Sequence, residues 1–277
     1  MPAARDDLAL LEQAAHEAGD IALRYWRRDP QVWDKADGAG PVTEADLAVN
    51  AHLERLLRSA RPDYGWLSEE SPDDPARLTA GHCFIIDPID GTRAFIDGHN
   101  GFSHSLAIAR GHDIIAAVVH LPAQALSYAA HEDGPARLNG AVIAASDHGF
   151  QGADVLTGKP SLDPVHWRGV APPLKRSFRP SLAWRLSLVA EGRFDAALSV
   201  RPAWEWDIAA GSLIARRAGC LASDLSGQPL RFNTASALSD GLIVARQGLH
   251  DQMLAAMTPR PGPGRNATRL DAPPHGG

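Results

Sequence analysis

The sequence predicts a layered α/β protein, with sheets and helices stacked on one another rather than gathered into a helix bundle. Three observations predict it. Two stretches near the start repeat apolar residues at helical spacing. From Phe84 to about Ala130 the texture changes to short apolar runs, separated by Gly, Asp, His and Pro, that read as strands. Beyond them, helical and strand patterns alternate as far as Met257.

The elements follow in order. Leu8, Leu11, Ala15, Ala18, Ala22 and Trp26 mark an amphipathic helix from about Asp6 to Arg28. "DPQVWDKADGAGP" is a turn-rich loop. Thr43 caps a second helix, "TEADLAVNAHLERLLRSA", with Asp46 three positions later. "WLSEES" is a short strand entering a loop, and "CFII", "HSLAIA", "IIAAVVHL" and "SYAA" are strands. "GADVLTG", "AALSV" and "GLIVA" add further strands. "SLAWRLSLVAEG" and "DIAAGSLIARRAG" are helices, each closed by a glycine, and "GLHDQMLAAM" is the last helix. Polar "ASDHGFQG" divides the chain, so residues 1–150 are expected to form an α+β half and 151–257 an α/β half. Residues 258–277, rich in Pro and Gly, are expected to be disordered.

Composition narrows the function. A chain of 277 residues suits one large domain or two tightly joined halves. A net charge of −6 and the lack of any long basic cluster argue against a nucleic-acid partner. The only two cysteines, Cys83 and Cys220, sit in or beside apolar stretches and read as buried small hydrophobes, so nothing asks for an oxidising compartment. Acidic residues come too early for a signal peptide, and no apolar run reaches membrane-spanning length. The cytoplasm is therefore the expected location, with no membrane partner.

The chemistry concentrates in "CFIIDPIDGTRAF". Pro88 biases Asp87 towards an extended conformation, so Asp87 is expected to end a strand and the chain to turn before Asp90. Two unit charges about 4 Å apart repel by roughly 4 kcal/mol at an effective dielectric near 20. A buried pair must share a proton, meet a basic group or bind a cation. The carbonyl of Ile89 is a spare hard oxygen ligand between the acids. Gly91 and Thr92 then open a short helix, whose first N–H groups favour an anion. A cation site beside an anion site suits a phosphate ester held against a metal.

Each part also has a local explanation. A D-x-x-D pair is commonly a solvated turn. Glu69 and Glu70 in "SEES" read alone as a charged loop. Asp207 in "EWDIAAG" reads alone as a helix-start acid favoured by the dipole, and Asp46 as one arm of a capping box.

Taken together and in this order, the stretches resemble the inositol monophosphatase family of metal-dependent phosphatases. The resemblance runs from about Leu10 to about Met257 and is carried by D-P-I-D-G-T at 87–92 and W-D-x-A-A-G at 206–211. Glu69-Glu70-Ser71 and Val42-Thr43-x-x-Asp46 support it. It implies a five-layered α-β-α-β-α fold and magnesium-dependent hydrolysis of a small phosphate monoester. By motif match, Glu69, Asp87, Asp90, Asp207 and the Ile89 carbonyl would be metal ligands. Thr92 with Glu69 would orient the attacking water, and Asp46 would help to position it. The N–H groups of Gly91 and Thr92 would hold the phosphate, and Asp207 would face the substrate. Lys35 falls where relatives carry a lysine in the loop before the Asp46 position. An all-oxygen ligand set prefers Mg²⁺, with Mn²⁺ as a substitute. None of the twelve histidines lies in these motifs, so no zinc site is inferred. Family members are often dimers, so a homodimer is among the expectations.

Within the family, "LVAEGRFDAALSVRPAWEWDIAAG" and "SGQPLRFN" look more like the bacterial 3'(2'),5'-bisphosphate nucleotidases of sulfur assimilation, which convert 3'-phosphoadenosine 5'-phosphate to AMP. Trp204 and Trp206 offer a stacking face, and Arg185 or Arg201 a partner for a second phosphate. The alternatives are inositol-1-monophosphatase and histidinol-phosphate phosphatase; His104, where a small or β-branched residue is more usual, departs from the nucleotidase pattern. A regulator that binds metal or phosphoinositol without catalysis is an alternative of another class. It would be expected to have lost an acid, and none is lost.

Overall fold

The computed structural model of the protein describes residues 4–35, 40–170 and 172–259. Five layers stack in the order helices, sheet, helices, sheet, helix. The outer helices are α1 (Ala4–Tyr25) and α2 (Glu44–Ala60), which pack on each other. A ribbon of β1 (Val32–Asp34) and β2 (Pro41–Thr43) joins them.

The first sheet has seven strands in chain order: β3 (Gly65–Ser68), β4 (His82–Asp90), β5 (Ser103–Arg110), β6 (Asp113–Leu121), β7 (Leu126–His131), β8 (Arg137–Leu138) and β9 (Ala141–Val142). Only β3 and β4 pair in parallel. The short α3 (Thr92–Ile96) links β4 to β5. The later strands are β10 (Asp154–Thr157), β11 (Lys175–Ser177), β12 (Ala196–Ser199), β13 (Ala203–Trp204), β14 (Cys220–Ser223), β15 (Leu238–Ser239) and β16 (Leu242–Arg246). Five of them form the second sheet, in the order β11-β10-β12-β16-β14, while β13 and β15 pair separately. Helices α4 (Leu182–Ala190) and α5 (Glu205–Arg217) fill the space between the sheets, and α6 (Gln247–Ala256) packs on the second.

Successive side chains of a strand point to opposite faces, and both faces of the first sheet are covered. Phe84, Ile86, Leu106 and Val118 pack under α1 and α2. Ile85, Ala107, Ala109 and Val119 pack against α4 and α5 in a core that also takes in Leu156 and Val244 of the second sheet. Double coverage explains why these strands read as unbroken apolar runs. The seven strands lie within 65–142 and the five within 154–246, yet the central helices give both sheets one core. Gly211 lets α5 approach α4, since a Cβ there would lie 2.6 Å from Leu186 Cβ.

The structure corrects three expectations. Helix α1 stops at Tyr25 rather than Arg28, because Arg27 and Asp29 turn left-handed with φ of 60° and 54°. Strand β4 does not end at Asp87; it runs on to Asp90 through a register shift against β5. The expected tail does not begin at 258, because Thr258 donates its N–H to His166 at 2.9 Å and Met257 bridges Trp167. The rest of that tail, from residue 260, lies outside the described residues.

Where α1 meets the first sheet, three histidines line up. His16 and His120 rings lie 4.6 Å apart, and His120 and His104 rings 6.2 Å. Burial pushes His104 down to about 4 and His120 to about 3, the latter helped by its histidine neighbours. The folded protein thus keeps both neutral while the unfolded chain takes up protons below about pH 6.5. Stability contributed by neutral burial is present above pH 6.5 and is lost as pH falls towards 4. Each histidine accounts for about 1.4 kcal/mol per pH unit in that window. In urea unfolding at pH 7 and pH 5, His120→Gln is expected to shrink the acid-induced loss by about 1–2 kcal/mol. Equal losses in variant and wild type would contradict this account.

Candidate metal centre and active site

The acids come from four separated segments. Asp46 occupies the third position of α2, where the capping box fixes it: its Oδ2 accepts from the Thr43 N–H at 2.9 Å and the Thr43 hydroxyl at 2.5 Å. Its Oδ1 faces Thr92, whose hydroxyl lies 3.3 Å away and 3.1 Å from the Ile89 carbonyl. The local reading of Asp46 as a cap is therefore right, but one oxygen remains for Thr92. Gly91 stands between β4 and α3 with φ of 96°, and a Cβ there would meet the Gly101 carbonyl at 3.3 Å. Only glycine joins strand to helix here without strain.

Glu69 and Glu70 follow β3, on a loop held from α2. Asn50 donates to the Glu70 carbonyl and to Ser71, and accepts from Ser68 at 2.7 Å. Lys35 Nζ bridges both glutamates, at 2.6 Å from Glu69 and 2.7 Å from Glu70. Burial opposes the Lys35 charge, but the two glutamates outweigh it and raise its pKa. Burial lifts Glu70 to about 7, against the pull of Lys35.

Asp87, Asp90 and Asp207 converge, with one carboxylate oxygen from each within 4.8 Å of the others. Asp90 Oδ2 accepts from the Ser181 hydroxyl and the Ala183 N–H, both at 2.7 Å, so the start of α4 holds it. Ser103 on β5 in turn supports Ser181 at 2.9 Å. Asp207 lies in the first turn of α5, and the carbonyl of Trp206 before it accepts from Ser105 at 2.8 Å. Asp87 Oδ1 is buried and has no hydrogen-bond partner among the described residues.

Three acids this close, two buried and one half-buried, cannot all be ionised cheaply. Burial, then Glu69, Asp90 and Asp207, push Asp87 well above the carboxylate range. Burial, then Asp90 and Glu69, do the same to Asp207. Burial raises Asp90 to about 6, against the hydrogen bonds of Ser181 and Ala183. Asp46 also rises to about 6 by burial, despite Thr43. An orphaned carboxylate oxygen and an all-oxygen donor set fit a hard divalent cation such as Mg²⁺ or Mn²⁺. The expected residues Glu69, Ile89 and Thr92 lie around this trio, with Glu69 close enough to raise Asp46, Asp87 and Asp207.

Trp204 and Trp206 stack at 4.7 Å with 10° between their planes, and Trp204 is 44% exposed. Burial lowers the pKa of Arg185, while Asp90 and Asp207 are near enough to raise it. Arg185 lies over Phe178 and borders a cavity of 210 Å³ that Ser161, Ser199 and Arg201 also line. Sequence reasoning missed the supports Asn50, Ser103, Ser105 and Ser181. Ser103 and Ser105 left one visible signal, polar residues interrupting an apolar strand in "GFSHSLAIA"; Asn50 and Ser181 left none.

A layered α/β fold with a buried carboxylate centre, beside a glycine turn and hydroxyls, defines a hydrolase class that works on phosphate esters with divalent metals. The comparisons make it specific: the profile of the inositol monophosphatase family matches residues 4–260, and the chain belongs to that family. It is a phosphoric monoester hydrolase. It is 33% identical to an inositol-1-monophosphatase of Rhizobium meliloti (strain 1021) over 79% of this chain and 86% of that one. It is 30% identical to a 3'-phosphoadenosine 5'-phosphate phosphatase of Mycobacterium leprae (strain TN), over 91% and 93%. The crystal structure of the extragenic suppressor protein suhB from Bartonella henselae superposes with a TM-score of 0.78 at 26% identity, covering 90% of this chain and 97% of that one.

Acids with raised pKa favour folding when protonated and oppose it as pH rises from about 4 through 6 and beyond. Asp87→Asn is expected to stabilise the metal-free protein at pH 8 by about 1–2 kcal/mol, because it removes a buried acid that neighbouring carboxylates make costly to ionise. Excess Mg²⁺ should stabilise the wild type, by about 2.7 kcal/mol at a hundred times Kd, and the variant far less. Thermal melts with EDTA and with Mg²⁺ test both statements. A variant that responds to Mg²⁺ like the wild type would remove Asp87 from the centre.

Proposed function

We propose that the protein is a magnesium-dependent phosphatase that converts 3'-phosphoadenosine 5'-phosphate to AMP and phosphate. Glu69, Asp87, Asp90, Asp207 and the Ile89 carbonyl are the groups that would hold the ions. Bound there, divalent cations supply Lewis-acid charge for the phosphoryl oxygens and acidify water.

The chain's own groups do the rest. Thr92 orients the attacking water and relays its proton towards Asp46, whose burial makes it a stronger base than an ordinary carboxylate. The Gly91 and Thr92 N–H groups hold the phosphoryl oxygens. The water oxygen attacks phosphorus in line, the ester P–O bond breaks, and the leaving oxygen takes a proton from solvent. Residues 1–150 supply Asp46, Glu69, Asp87, Asp90, Gly91 and Thr92, whereas residues 151–257 supply Asp207 and the substrate-specificity elements.

The observation that carries the choice of substrate is the exposed face of the Trp204–Trp206 stack beside Asp207. A planar base stacks on such a face through its π-surface. Arg185 and Arg201, on the neighbouring cavity, suit a second phosphate. The named activity of the Mycobacterium leprae relative agrees. Hydrolysis of inositol 1-phosphate is the second reading, favoured by likeness to the Rhizobium meliloti protein. Free, buried Cys83 and Cys220 support a reducing location such as the cytoplasm.

A phosphate-release panel with 3'-phosphoadenosine 5'-phosphate, inositol 1-phosphate, histidinol phosphate and fructose 1,6-bisphosphate tests this. The nucleotide should give the highest kcat/KM, with activity lost in EDTA and restored by Mg²⁺. Trp204→Ala should raise KM for the nucleotide about 10-fold, and more than for inositol phosphate. Preference for inositol 1-phosphate would overturn the substrate reading. Asp46→Asn should lower kcat by roughly 10²- to 10⁴-fold, and unchanged kcat would exclude it as proton acceptor.

A further inference from the structure

The register shift between β4 and β5 pairs Asp87 with Ser105 and Asp90 with Ser103, so Pro88 and Ile89 together oppose the single residue His104. Both residues drop out of the paired ladder, and side chains serve their carbonyls instead. The Ile89 carbonyl accepts from Thr92 at 3.1 Å. The Pro88 carbonyl accepts from His104 Nδ1. None of the motifs assigns this histidine a role.

We propose that His104 is a positioning residue of the D-P-I-D turn: its Nδ1–H replaces the backbone donor that the bulge removes and so sets the orientation of the Asp87–Pro88–Ile89 peptides. The inference rests on the reading of Asp87, Ile89 and Asp90 as a metal-holding turn. Its support is geometric. His104 is wholly buried, with the Phe102 ring at 6.4 Å and the His120 ring at 6.2 Å, so its imidazole is enclosed away from water. A carbonyl can only accept, which makes Nδ1 the protonated nitrogen of a neutral ring. Nε2, buried without a partner among the described residues, is then the atom left without a proton. Burial favours the neutral ring throughout the physiological range. A carbonyl left unpaired in this enclosure would turn to find a donor, and the ligand-bearing peptides on either side would turn with it.

The flanking residues of β5 act in parallel. Ser103 reaches Asp90 through Ser181, and Ser105 holds the Trp206 carbonyl next to Asp207. Three consecutive residues of one strand thus brace two ligand-bearing segments, the Asp87–Asp90 turn at both its ends and the start of α5 at Asp207.

The test compares Mg²⁺ binding by titration calorimetry in wild type, His104→Leu and His104→Asn. Leucine fills the space without a donor, and asparagine keeps a side-chain N–H. The leucine variant should bind Mg²⁺ about 10- to 100-fold more weakly, as for other residues that orient metal ligands, and asparagine should recover most of the loss. Wild-type affinity in the leucine variant, or equal weakening in both, would overturn the proposal while leaving the metal centre standing. Wild-type protein that binds no Mg²⁺ would overturn both readings. Nitrogen-15 NMR of the metal-free wild type gives a second, independent reading. An Nδ1-protonated neutral His104 supports the proposal, and an Nε2-protonated ring refutes it whether or not the variants fold.

Discussion

Mutual repulsion among Asp87, Asp90 and Asp207 is the constraint on which the rest of this structure depends. Their oxygens lie within 4.8 Å of one another, and two of the three side chains are buried. At that spacing each ionised pair costs on the order of 3–4 kcal/mol at an effective dielectric near 20. That is a sizeable fraction of the 5–15 kcal/mol by which a typical domain is stable. A fold that carries such a cluster must hold it rigidly enough that protons or cations, rather than a change of shape, relieve the repulsion.

The architecture does this by taking the acids from different layers and fixing each with neutral hydrogen bonds. Asp90 leaves the first sheet but is held by the start of α4. Asp207 leaves the central layer but is steadied from β5 through Ser105. Asp46 is locked by its own helix cap. No segment can retreat from the cluster without disturbing a neighbour in another layer, and the core shared by both sheets resists such shifts. Lys35 is the exception. It meets Glu69 and Glu70 from just past the end of β1, so a charge rather than a neutral hydrogen bond holds those two glutamates.

Much of this was legible in the sequence, for identifiable reasons. Helical periodicity and apolar runs revealed the layers because both faces of the first sheet are buried. The motif acids stood out because D-P-I-D-G-T and W-D-x-A-A-G join carboxylates to glycine and small residues that a solvated surface does not require. The bulge was not legible. Pro88 signals extended backbone and a missing donor, which reads equally as a strand end or as an interruption, and only the pairing of Asp90 with Ser103 decides between them. Nor were the braces. Ser103, His104, Ser105 and Ser181 act across 16 to 101 residues of chain, and no local pattern encodes partners so distant.

The same division explains why specificity is harder to read than chemistry. On the proposed reading, the tryptophan face gains its value from being held before a ligand arrives. Glu205, between the two tryptophans, is buried and accepts from the N–H groups of Asn233 at 2.6 Å and Thr234 at 3.0 Å. Arg77, itself buried, binds Asn233 at 2.8 Å and the Thr234 carbonyl at 3.0 Å while paired with Asp73. The start of α5 is thereby latched through one short loop to the first half of the chain. Ordering a stacking platform beforehand removes a cost that binding would otherwise meet. Neither Arg77 nor Glu205 touches a motif, so the sequence shows the aromatic pair and hides what makes it a rigid surface.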